Sequence, residues 1–143
     1  DGKRALIVGG GFIGCEVAEF LAEKDIEVTI IEKLKELCQD MEPSSRKLLL
    51  LRLFEKNVTA HTSADIVKVE KGVTWFRNGD NELNSLPFDK IIISVGYSPN
   101  DGLFRAIEAS RPASIEVHQI GDCKVPQGIY QAIHDGNMIG RII

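Results

Sequence analysis

A glycine-rich loop near the start of the chain has the residue types and spacing to bind a diphosphate. Gly9, Gly11 and Gly14 fit the pattern G-x-G-x-x-G, between a short apolar run and a segment with helical periodicity. In this pattern the first glycine allows a tight turn, the second lets a pyrophosphate approach the backbone, and the third lets helix and strand pack closely. A helix N-terminus adds unpaired N–H groups and partial positive charge. The loop therefore predicts a dinucleotide site.

An acidic residue follows at the end of the next predicted strand. Glu32 lies 18 positions after Gly14, near the spacing of about 20 typical of a ribose-binding carboxylate. At about 4 Å such a carboxylate would repel the 2′-phosphate of NADP(H) by about 1 kcal/mol in water. Lys33 and Lys35 would offset this repulsion, but both have long, flexible side chains. We therefore expect NAD(H). The alternative is an ordinary glycine turn with Glu32 as a solvated strand end.

Elements that could position this loop follow from the apolar patterning. The patterns predict, in chain order, a strand at 4–8, a helix ending near 24–25, a strand at 27–32, a helix from Pro43, strands at 66–70 and 73–77, and a strand at 90–95. The first three form a βαβ unit. Because 90–95 is a continuous apolar run, we expect a central parallel strand there.

Patterning is weaker after Pro99. Residues 105–114 are typical of a linker or ragged helix, 115–120 of a strand, and the segment from Ile129 of a helix with an apolar stripe. The predicted fold class is α/β: a Rossmann-like FAD/NAD(P)-binding fold with a parallel sheet, flanking helices, a small antiparallel meander, and an appended C-terminal strand and helix.

Composition excludes several functions. The 143 residues carry a net charge of −4 without a basic run, which argues against nucleic acid and anionic membranes as partners. The longest apolar stretch is far below the roughly 20 residues of a membrane span, and we expect a cytoplasmic location. Three scattered cysteines predict free thiols and no metal site. Cys15 lies at a helix start that favours a thiolate, but has no neighbouring thiol in the sequence, so we expect no redox role.

Three segments resemble one enzyme superfamily. They are GGGFIGCE at 9–16, SVGYSPN at 94–100 and IGDCKVPQGIYQAIHDG at 120–136. Together they resemble the flavoproteins of pyridine-nucleotide-disulfide-reductase type, which have two dinucleotide folds. The last segment is more closely similar to the C-terminal part of NADH:flavin oxidoreductases related to 2,4-dienoyl-CoA reductase and 2-enoate reductase.

The resemblance implies an NAD(H)-binding domain at 1–104, then at 105–143 a linker and the C-terminal strand and helix of an incomplete FAD-binding domain. It implies that Glu16 lies toward the nicotinamide end, that Gly96 lines the cofactor cleft, and that Asp122 contacts the ribityl chain of FAD. A turn aspartate is the alternative for Asp122. The candidate cofactor-binding residues are Gly9, Gly10, Gly11, Phe12, Ile13, Gly14, Glu16, Glu32, Lys33, Gly96 and Asp122.

Other family features are absent from the sequence. It has no second glycine loop for FAD and no C-x-x-C pair, and we identify no catalytic residue. We therefore expect the chain to be the NAD(H)-binding portion of a flavin-dependent oxidoreductase. It would position NADH for hydride transfer to a flavin carried by the rest of the parent enzyme, and the isolated chain would be inactive.

The glycine loop also allows two other functions. The chain could instead be a non-catalytic ADP- or dinucleotide-binding module, or its glycine loop could hold FAD. Besides the dinucleotide, the expected partner is the missing flavin-binding part. We also expect the apolar stripe of the last helix to associate with a second copy of the chain. The alternative is that this helix folds back on its own domain.

Overall fold

Two units make up the chain in the computed structural model, which describes residues 3–143. One unit ends at Gly96 and the other begins at Tyr97. The boundary predicted near residue 104, between an NAD(H)-binding domain and a segment of an FAD-binding domain, is a separate division and stays a prediction. Within 3–143, none of the helices combines the length and apolar character needed to cross a membrane.

From residue 3 to its end, the first unit contains seven strands and two helices. In chain order they are β1 (Arg4–Val8), α1 (Phe12–Ala22), β2 (Glu27–Ile31), α2 (Pro43–Glu55), β3 (Thr59–His61), β4 (Asp65–Glu70), β5 (Val73–Arg77), β6 (Leu83–Pro87) and β7 (Lys90–Ile93). Most of these elements agree with the sequence prediction, but β3 and β6 were not foreseen. Both are short and carry polar residues, so neither has a clear apolar alternation.

A four-stranded parallel sheet in the order β3-β2-β1-β7 forms the centre of this unit. Val8 at the end of β1 pairs with Ile31 of β2 and Ile93 of β7, so the carboxyl ends of the three strands lie together. On one face, Ile7 and Ile30 are fully buried in the cluster that also contains α1 and α2 residues. Burying each such side chain is worth about 1.5–3 kcal/mol.

The opposite face of the parallel sheet is covered by a three-stranded antiparallel meander in the order β4-β5-β6. Leu6 and Ile31 of the parallel sheet pack with Ala64 and Phe76 in a second buried cluster. The predicted α/β class, with a parallel sheet and a small meander, is confirmed.

The strand predicted at 90–95 is present as β7 and is parallel to β1, but its predicted central position is wrong, because it lies at an edge of the sheet within the described residues. Its only ladder there is with β1. Ile92 packs against the helix-covered cluster, whereas Ile93, which points to the other face, is 70% exposed. An apolar run reports strand propensity but does not specify how many neighbours the strand has.

The second unit is helical. It contains α3 (Gly102–Ser110), a short 3₁₀ turn at Gly121–Cys123, and α4 (Ile129–Ile139). The linker or ragged helix expected at 105–114 is in part α3. The strand expected at 115–120 is wrong: that segment is irregular, since a strand needs a hydrogen-bonded neighbour and residues 97–143 contain no strand.

Candidate functional site

Three glycines, two in the loop between β1 and α1 and one in the first turn of α1, are closely packed by the rest of the protein. Gly9 has φ +99°, and a Cβ there would lie 2.1 Å from the carbonyl oxygen of Ser94. A Cβ at Gly10 would lie 2.2 Å from Cδ2 of Leu37, and one at Gly14 would lie 2.0 Å from the carbonyl oxygen of Gly9. A side chain at Gly9 or Gly14 would therefore meet backbone atoms and force the elements apart, whereas one at Gly10 would displace the end of the Leu37 side chain.

Gly11 has no such internal reason to be glycine. Its φ is −69°, which other residues adopt readily, and a Cβ built there meets no described atom within 4 Å. It is the N-cap of α1, with no side-chain cap and no acidic residue in the first turn. Since the first N–H groups of a helix lack intrahelical partners, this end of α1 is open to an anion.

A cleft of about 620 Å³ lies beside this helix end, where β1, β2 and β7 end. Six of the predicted residues line it: Gly9, Gly10, Gly11, Glu32, Lys33 and Gly96. Four others belong to α1 and do not line the cleft: Phe12, Ile13, Gly14 and Glu16. Gly96 has φ +93° and open space where a Cβ would be, so the cleft has glycine backbone on two sides.

Glu32 is buried at the base of the cleft, and both of its carboxylate oxygens are engaged. Oε2 accepts a hydrogen bond from the backbone N–H of Gly10 at 2.5 Å, and Oε1 accepts one from Leu34 N–H at 2.6 Å. The side chain therefore ties the glycine loop to the segment after β2. Each carboxylate oxygen has a second acceptor direction, which leaves capacity for ligand hydroxyls.

The wall beyond Glu32 is mostly acidic. Glu36, Asp40 and Asp65 line it together with Lys33. The Lys33 ammonium pairs with Asp65, with 3.2 Å between Nζ and Oδ1. Arg46 holds this wall from α2, because its guanidinium donates to the carbonyl of Leu37 at 2.7 Å and pairs with Glu36 at 2.8 Å.

Two thiols lie under the glycine loop. Cys15 Sγ is 3.4 Å from the carbonyl oxygen of Gly10, which also accepts the backbone N–H of Cys38 at 2.9 Å. The expectation that Cys15 lacks a neighbouring thiol is wrong, because Cys38 lies in the same buried cluster and bonds to the same Gly10 carbonyl. Burial raises the pKa of both thiols above the usual range, which opposes the thiolate that a helix N-terminus was expected to favour at Cys15.

Asp122 belongs to the second unit, in the 3₁₀ turn. Its Oδ1 accepts the backbone N–H of Gln127 at 3.2 Å, and the preceding Gly121 has φ +63°. Asp122 therefore acts as a turn residue in the structure. Its contact with FAD stays a prediction.

The sequence interpretation missed several residues of the cleft. Ser94 follows β7 and donates its N–H to the carbonyl of Val8 at 2.7 Å. Its position at the carboxyl end of a predicted strand was a signal that could have identified it. Asp65 had none, because its role depends on a contact with Lys33 that the backbone creates only after folding.

Known proteins are similar to this chain in sequence and in fold. Residues 1–135 match the family model described as pyridine nucleotide-disulphide oxidoreductase. The chain is 29% identical over 136 residues to an NADH oxidase from Thermoanaerobacter brockii, covering 94% of this chain and 20% of that protein. It is 26% identical over 141 residues to a bilirubin reductase from Mediterraneibacter gnavus (strain CC55_001C), covering 98% and 21%.

A solved structure of a 2-naphthoyl-CoA reductase in complex with 2-naphthoyl-CoA has the same fold. It matches with a TM-score of 0.84 at 27% identity, covering 99% of this chain and 21% of that one. The chain thus spans about a fifth of the length of the relatives it matches.

Proposed function

Because the chain belongs to the pyridine nucleotide-disulphide oxidoreductase family, we propose that its first unit binds NAD(H) in the cleft beside the glycine loop. The observation that carries the proposal is Gly11, the loop glycine that neither backbone conformation nor packing requires. A ligand that touches the backbone there explains the missing side chain. The open N-terminus of α1 supplies N–H groups suited to a diphosphate.

The acidic wall supports NAD(H) over NADP(H). Glu32, Glu36, Asp40 and Asp65 line the cleft, and the one lysine among its described lining residues is paired. In the proposed complex the ribose hydroxyls donate to the free acceptor directions of Glu32. A 2′-phosphate would bring negative charge to the same place, at a cost of about 1 kcal/mol for each carboxylate at about 4 Å in water.

In the whole enzyme we infer that bound NADH is placed for hydride transfer to a flavin held outside this unit. The chemistry would come from the cofactors, and the chain's residues would bind and orient them. Residues 1–104 would form the NAD(H) domain, with Glu16 toward the nicotinamide end and Gly96 lining the cofactor cleft. Residues 105–143 would belong to the FAD domain, with Asp122 toward the ribityl chain. The family relationship and the NADH oxidase relative support this assignment.

Titration calorimetry of the 143-residue chain tests the proposal. We expect NADH to bind more tightly than both NADPH and ADP. Equal affinity for NADH and ADP would favour the non-catalytic nucleotide module, because the nicotinamide half would then contribute nothing. Equal or reversed affinities for NADH and NADPH would refute the acidic-wall assignment.

The purified chain also distinguishes NAD(H) from FAD in this cleft. We expect no stoichiometric flavin in the absorption spectrum after gel filtration, and no unaided NADH oxidation. One equivalent of flavin retained by the chain, competing with NADH in the titration, would assign the glycine loop to FAD.

A further inference from the structure

Lys33 stands out electrostatically in the cleft. It is the one cationic side chain among the described residues that line the cleft, and it directly follows Glu32. A free ammonium at this place would attract a 2′-phosphate and reduce the discrimination between NAD(H) and NADP(H). The structure instead pairs it with Asp65, whose Oδ1 lies 3.2 Å from Nζ.

Backbone hydrogen bonds keep these two side chains next to each other. The carbonyl of Glu32 accepts the N–H of Ala64 at 2.9 Å, and the carbonyl of Leu34 accepts the N–H of Ser63 at 2.8 Å. The bonds lie on either side of Lys33, so the segment after β2 is fixed beside the start of β4. The ion pair is therefore organised by the fold, although both side chains reach solvent.

We propose that Asp65 is a specificity-determining residue, which neutralises Lys33 and so keeps the cleft selective for a dinucleotide without a 2′-phosphate. The inference rests on the proposed NAD(H) function. Asp65 acts in two ways: it occupies the ammonium that would otherwise meet the phosphate, and it retains an acidic charge on the cleft wall. Its neighbours there, Glu36 and Asp40, carry the same sign.

The test compares NADH and NADPH binding to the 143-residue chain and its D65N variant. One released charge at about 4 Å in water corresponds to about a fivefold change in affinity. We expect D65N to tighten NADPH about fivefold, to leave NADH within about twofold, and to lose this effect at high salt because the site is exposed. The matched control is E70Q, which removes one charge at the other end of β4 from an ion pair with Lys68.

A second background separates the two roles of Asp65. In K33Q, the D65N substitution should tighten NADPH by less than in the parent chain, because it still removes one acidic charge from the wall but no ammonium remains to be released. An equal gain in both backgrounds, or the same gain from E70Q, would overturn the pairing. Unchanged NADPH affinity in D65N while NADH still binds would overturn it as well. Failure of the parent chain to bind either nucleotide would instead refute the proposed function.

Discussion

Replacing Gly11 with alanine separates ligand binding from folding more cleanly than any other change in the loop. The added Cβ meets no described atom within 4 Å, and φ is −69°, so no strain is expected. Alanine is a poorer N-cap than glycine, with a cost near the low end of about 0.5–2 kcal/mol. It also restricts the unfolded chain, which returns about 0.4–1 kcal/mol. We therefore expect the free energy of unfolding to change by less than about 1 kcal/mol.

NADH binding should respond strongly to the same substitution. The Cβ would stand between the helix N-terminus and the diphosphate, and would lengthen at least one charge-assisted hydrogen bond. Such a bond is worth about 1.5–3 kcal/mol, which corresponds to about a 10- to 150-fold loss of affinity. Titration calorimetry measures the loss, and urea unfolding of the same sample measures stability.

Two control substitutions bracket this result. Gly14→Ala should lose stability, because its Cβ would lie 2.0 Å from the carbonyl oxygen of Gly9. Gly102→Ala, in open space at the start of α3, should leave NADH affinity unchanged and should not lower stability. Gly11→Ala that binds NADH with parent affinity would refute the placement of the diphosphate at this helix end. A large loss of stability in Gly11→Ala would show that packing requires that glycine.

Two further predictions concern acid stability and association. The carboxylates of Glu42, which accepts backbone N–H bonds at the start of α2, and Asp89, which pairs with Arg4, each have a pKa of about 2. Because the folded pKa values are depressed, the stabilisation from each carboxylate is complete above about pH 5 and is lost as the pH falls toward 2. Urea unfolding across this range should show that the free energy of unfolding declines less steeply with falling pH in E42Q and in D89N than in the parent chain. Ile129 and Ile133 on α4 are 82% and 67% exposed, so we expect the chain to self-associate through this helix. Light scattering over a concentration series should show the association, and the double variant I129N/I133N should reduce it. A monomer at every concentration would contradict the prediction.

The elements around the glycine loop could be predicted because their signals are local. β1, the loop and β2 lie within the first 31 residues, and each has a distinct apolar period or glycine spacing. The identity of the family followed from short motifs in the same way, and the match over residues 1–135 confirms it. Local sequence therefore specified the part of the fold around the glycine loop.

The remaining features depend on contacts between distant segments. The sequence could not show that β7 is an edge strand, because that depends on which strands pair with it. It could not show that 115–120 lacks a strand partner, or that Asp65 reaches Lys33 across more than 30 positions. Such pairings arise from backbone hydrogen bonds that form only when β2, β3 and β4 are assembled.

Glu32 shows how a single motif position can serve structure and ligand together. Its two backbone hydrogen bonds, from Gly10 and Leu34, tie the glycine loop to the acidic wall through the protein's own groups. An organised site loses less conformational entropy on binding than a mobile one. In the proposed complex the ribose hydroxyls use acceptor directions that the backbone leaves free. Glu32 would then contribute to NADH affinity in two ways, through preorganisation and through direct contact. Removing its carboxylate should therefore lower NADH affinity by more than the loss of a ribose hydrogen bond alone.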